Sequence, residues 1–131
     1  MKLMIKLFVI VLLSAGVARA QQAVPDPAHP GTFLKTIFLH HDETKTLGQI
    51  NQHLKETGWY RDFPPPGVEI VSWYVMMGIG QVVTLRMPAE KLREVNRVIE
   101  NDAWGGYRTE FYPTYDYRQA WEDQKRVMNA K

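Results

Sequence analysis

Apolar positions along this chain keep two different periods, and the switches between them mark the elements. Thr32 to His41 carries Phe33, Leu34, Ile37, Phe38 and Leu39 around Lys35 and Thr36, which reads as a first strand. Thr46 to Thr57 changes to helical spacing through Leu47, Ile50 and Leu54, with Thr46 and Gln49 in capping-box positions. Gly58 follows where a left-handed residue ends a helix. Trp59 to Gly67 holds Pro64, Pro65 and Pro66, three residues that lock φ and lack amide donors, so a stiff loop is expected. Val68 to Met77 and Gln81 to Met87 read as strands joined by the Gly78-Ile79-Gly80 hairpin. A second helix runs from Pro88 to about Asp102, its buried stripe Leu92, Val95 and Ile99. Gly105-Gly106 breaks the chain before a fourth strand, Tyr107 to Tyr112, whose regular pairing Pro113 should end. A weaker last helix spans Arg118 to Asn129 and is expected to dock through Trp121 and Met128.

Upstream, the pattern is of another kind. Met1 to Ala20 has a basic start (Lys2, Lys6), an unbroken apolar run from Leu7 to Leu13, and Ala18-Arg19-Ala20 as a small-x-small site. This predicts a cleavable export signal, cut after Ala20, and a periplasmic or secreted protein. A membrane anchor would need roughly 20 apolar residues, and this stretch ends near Val17. Residues 21–31, with Pro25, Pro27 and Pro30, read as an extended, flexible leader to a single domain over 32–131.

Composition narrows the function classes. Removing the signal takes away three of the 16 Lys and Arg and none of the 14 Asp and Glu, so the mature chain carries net −1. A nucleic-acid binder would show a basic excess instead. The absence of cysteine excludes disulfides, thiolate chemistry and a lipid-modified N-terminal cysteine. Gly78-Ile79-Gly80 lacks the third glycine and the following helix of a nucleotide loop.

The order strand, helix, strand, hairpin, strand, helix, strand predicts an α+β fold of the ferredoxin-like βαββαβ kind. Its sheet would have four strands in order 4-1-3-2, both helices on one face, and an added C-terminal helix. The other face would be bare. With Phe38, Val71, Trp73, Val75 and Val82 assigned to it, that face should pair with a second copy as a homodimer.

From Thr32 to Tyr117, this element order and the polar-aromatic last strand Glu110-Phe111-Tyr112-Pro113 after an amphipathic helix resemble the dimeric α/β-barrel superfamily, which includes muconolactone isomerase-like enzymes. The resemblance rests on topology, matches no catalytic motif and transfers no functional residue. It implies a cavity beside the sheet that takes small hydrophobic or aromatic molecules.

Candidate chemistry comes from side chains sharing a face. With the first and third strands taken as parallel, His40, Arg86 and Glu110 converge at one end, and Trp73 joins them. That set supplies a proton carrier, an anion clamp, a carboxylate and an aromatic wall for a ligand. The structural reading of the same residues is an Arg86–Glu110 ion pair inside a dimer interface. His40 and His41 point to opposite faces and are poorly placed to share a metal ion, so no metal or other cofactor is expected. His53 beside the first helix stripe is read as a partly buried packing histidine. Two functions follow: an exported protein that binds a small hydrophobic or aromatic compound, or a non-enzymatic periplasmic interaction or assembly module. Neither reading establishes a reaction.

Overall fold

The computed structural model describes residues 24–130, so the signal segment and its cleavage site after Ala20 lie outside the described residues. Strand β1 (Thr32–His41) leads to helix α1 (Leu47–Thr57) and a short helix α2 (Trp59–Asp62). The hairpin β2 (Glu69–Met76) and β3 (Gly80–Pro88) follows, then α3 (Leu92–Val98), β4 (Tyr107–Thr114) and α4 (Arg118–Asn129). A 3-10 turn, Ala89–Lys91, opens α3, and a π turn, Ile99–Ala103, closes it.

The helix ends form as the sequence chemistry requires. Thr46 Oγ1 accepts from the Gln49 amide at 3.2 Å, while Gln49 Oε1 accepts from the Thr46 amide at 2.8 Å. Each thus satisfies a donor that the first helical turn cannot. Gly58, at φ 95°, ends α1 in the left-handed region. The chain then turns helical again where a proline-stiffened loop was expected. Trp59 stacks on Phe63 at 4.2 Å, and the burial of both rings favours that turn.

The strands lie in the order β2-β3-β1-β4, with every neighbouring pair antiparallel. This is an α+β architecture of sheet and helices, consistent with a ferredoxin-like class. One face carries the core: Phe33, Ile37 and Leu39 of β1 and Val83, Leu85 and Met87 of β3 meet Ile50 and Leu54 of α1 and Val95 and Ile99 near α3. The helical stripes are shorter than their spacing suggests, since Leu47 and Leu92 in the opening turns are exposed.

Two further details differ from the sequence pattern. Strand β4 runs through Pro113, which pairs with Lys35, and on to Thr114. It lies at an edge of the sheet, where a missing amide donor costs no ladder bond if it faces outward. Helix α4 buries none of its residues, and Trp121 and Met128, expected to dock it, are exposed. Its amphipathic pattern has no partner within this chain's described residues.

The described part of the leader, residues 24–31, is folded back rather than extended. Pro25 bridges to Phe33, and the Asp26 carboxylate accepts from Arg86 Nε at 2.9 Å and from the Ala28 amide at 3.0 Å. Arg86 beside it holds the Asp26 carboxyl below the usual carboxylate range. The tie is therefore complete at neutral pH and is lost only as pH falls through that lowered value. Asp26→Ala should release the segment, raising the rate of limited proteolysis before Thr32 at least tenfold at pH 7. An unchanged cleavage rate would show that the turn is held by other contacts.

Candidate functional site

Side-chain direction along the ladders sorts the residues into two faces. The face away from the helices carries Thr36, Phe38 and His40 of β1, and Val82, Thr84 and Arg86 of β3. Ser72 and Tyr74 of β2 and Arg108, Glu110 and Tyr112 of β4 complete it, as their register partners require. The face is mixed rather than apolar. Of the five apolar residues assigned to it from sequence, Phe38 and Val82 lie there. Across its centre runs a row of hydroxyls: Thr36 Oγ1 meets Thr84 Oγ1 at 3.0 Å and Thr114 Oγ1 at 2.7 Å.

The four residues expected to converge divide into a pair and two strays. His40 and Glu110 do come together, with Nε2 and Oε1 at 3.4 Å, because β1 and β4 run antiparallel and Phe38 pairs with Glu110. Arg86 belongs to the opposite end. Strand β3 returns from a hairpin and is antiparallel to β1, so Gly80 rather than Arg86 sits across from His40, and Arg86 faces Leu34. Six residues of strand separate them, roughly 20 Å. Arg86 instead joins Asp26 and Glu69, each at 2.9 Å, and the expected Arg86–Glu110 pair does not exist.

Trp73 is on the other face. It pairs with Val83, whose side chain is buried in the core, and its ring meets Phe63 at 5.6 Å and Trp59 at 6.4 Å edge-on. Its Nε1 donates to Gln81 Oε1 at 2.7 Å, and Gln81 Nε2 donates to the Tyr107 hydroxyl at 3.2 Å. The indole fills the sheet margin against α2, a helix the proline-rich spacing concealed.

Two residues outside the expected set of four complete the His40 corner. Arg108 Nη1 donates to Glu110 Oε1 at 2.7 Å, and the Tyr112 hydroxyl donates to Glu110 Oε2 at 3.1 Å. These bonds, Arg108 first, hold the Glu110 carboxyl below its ordinary range. Their signal was the i, i+2 alternation of Arg108, Glu110 and Tyr112, which puts all three on one face. Phe38 stacks on His40 at 6.2 Å and meets Tyr112 edge-on at 5.9 Å. Each Glu110 oxygen accepts one of the bonds from Arg108 and Tyr112, whereas His40 Nε2 is buried, lies near Glu110 and makes no hydrogen bond among the described residues.

At this end of the sheet, the strand termini frame an open cleft of about 620 Å³. His40 and Arg108 stand in its wall with Ile79 and Tyr107, and Asp42 and Glu43 form its acidic rim. His41 lines it too, but stacks on Tyr107 at 5.8 Å and so faces away from His40. Behind the cleft, His53 Nε2 contacts the Trp104 carbonyl oxygen at 2.7 Å and braces the turn that carries Gly105. Such a site can present the Arg108 cation and the His40 imidazole to a polar group, with exposed Ile79 as an apolar contact. Comparison with family models, with curated proteins and with solved structures finds no match to this chain.

Proposed function

We propose that this is an exported small-molecule-binding protein of the ferredoxin-like βαββαβ type, taking a small aromatic or hydrophobic compound with an acceptor or anionic group in the His40–Arg108 cleft. The observation that carries the reading is His40: its ring lines the cleft, and its buried Nε2, 3.4 Å from Glu110 Oε1, makes no hydrogen bond among the described residues. Buried polar atoms are normally paired, so an unpaired one marks a place where another group completes the set. Arg108 is two-thirds exposed and has donors left for a ligand carboxylate.

The test is titration of the folded protein with benzoate and phenol analogues, followed by two-dimensional NMR. Shifts should concentrate on His40, Tyr107 and Arg108, and His40→Ala and Arg108→Ala should each weaken binding at least tenfold without lowering the melting temperature. Shifts scattered over the surface, or affinities untouched by both substitutions, would refute the site. The second reading, an interaction or assembly module, draws its support from α4, where Trp121, Val127 and Met128 are exposed on one helix.

A further inference from the structure

The two edges of the sheet are built differently. Strand β4 ends one side and carries Arg108, Glu110 and Pro113, charges and a proline that discourage another strand from adding to it. Strand β2 ends the other side, and from Ile70 to Leu85 the chain has no charged residue and no proline. Val71, Tyr74, Val75, Met77 and Ile79 are exposed along this edge and its hairpin, with Val75 at 68%. One row of β2 backbone donors and acceptors faces outward, since β3 is its sole neighbour among the described residues.

We infer that β2 pairs antiparallel with β2 of a second copy, joining two sheets into one of eight strands. The irregularity between Ile70 and Ser72 leaves Ser72–Met76 as the regular part of the ladder, and its midpoint is Tyr74. Cross-strand partners share a face, so a two-fold axis normal to the sheet must pass through a residue position. An axis at Tyr74 sets Val75 of each copy against Trp73 of the other. Glu69, the one charge of the strand, lies beyond the irregularity and outside this regular ladder. Glu69 is in any case neutralised by Arg86 at 2.9 Å. The self-pairing therefore brings together main-chain bonds and apolar pairs with no like-charge contact. It uses an edge rather than the bare face from which a dimer was expected, and it leaves the His40 cleft open to solvent.

A single strand edge is smaller than the 20–30 residues a side of a standard interface, so dissociation in roughly the tens of micromolar is expected. Sedimentation equilibrium of the chain beginning at Gln21, from about 5 to 500 μM, should show a monomer–dimer equilibrium. Val75→Lys, at an exposed position that the monomer tolerates, should weaken it at least tenfold with the melting temperature of the monomer unchanged. Tyr112→Lys on the open face should leave it intact. Amide exchange across Ser72–Met76 should slow as concentration rises. A monomer throughout, larger open-ended assemblies, or a dimer broken by Tyr112→Lys and not by Val75→Lys would overturn the proposal, the last in favour of face-to-face pairing.

Discussion

Gly80→Ala is expected to lower folding stability by about 3 kcal/mol or more, because a methyl group there has nowhere to go. Gly80 has φ 151°, and a Cβ built on it stands 2.0 Å from the Leu39 carbonyl oxygen. That oxygen belongs to β1, the strand at the centre of the sheet, and the clash is with backbone, so no side-chain rotation relieves it. Relief requires β1 and β3 to separate where Gly80 pairs with His40. The alanine variant should therefore lose secondary structure near the hairpin and disturb His40 as well, visible as a lowered urea midpoint and shifted His40 resonances. Gly78→Ala is the control. It also has positive φ, but a Cβ there meets nothing within 4 Å, so its cost should be limited to about 1 kcal/mol of backbone strain. Equal losses at the two positions would remove the close-approach argument.

The second large effect concerns Lys35, which lies on the helix side of β1 and is 4% exposed. Its ammonium donates to Asn96 Oδ1 and stands 4.4 Å over the Phe111 ring, with no salt bridge among the described residues. Burial pushes the amine down from 10.5 to about 8, against a smaller opposing pull from Glu100. Between those two values, the unfolded chain still binds a proton that the folded chain has released. Stability must then rise with pH across the window, by about 3 kcal/mol for a shift of that size. Above pH 10 the gain is opposed by Tyr107, whose buried phenol is pushed up to about 12 and so favours unfolding once the unfolded chain ionises. Urea unfolding between pH 7.5 and 10 should show the rise. Lys35→Met should abolish the pH dependence and be more stable at pH 7, since its side chain keeps the packing without the charge. A flat wild-type profile would mean that Lys35 keeps its proton with help from water.

The elements with strong local chemistry were legible in the sequence. The capping box at Thr46, the left-handed Gly58 and the glycine hairpin each rest on contacts within a few residues, and each formed as read. Strand direction was the weak link. His40 and Glu110 met because the antiparallel relation of β1 and β4 was anticipated correctly, while Arg86 was misplaced by taking β1 and β3 as parallel. Trp73 failed for another reason. Alternation alone does not say which face of a margin strand is buried, and the decision came from Trp59 and Phe63, whose stacking created a pocket for the indole. Asp26 was invisible because its partner lies 60 residues away. Nothing in a proline-rich stretch announces that it will be clamped.

Gln81 sits midway along a thread of polar contacts that starts at the Trp73 indole on one margin and ends at the Tyr107 phenol in the wall of the cleft. An amide that donates with one atom and accepts with the other cannot rotate for one neighbour without turning on the second. A displacement of the indole must therefore be felt at the phenol. Both rings also lie against Trp59, so the margin of the sheet and the wall of the cleft form one continuous aromatic seam.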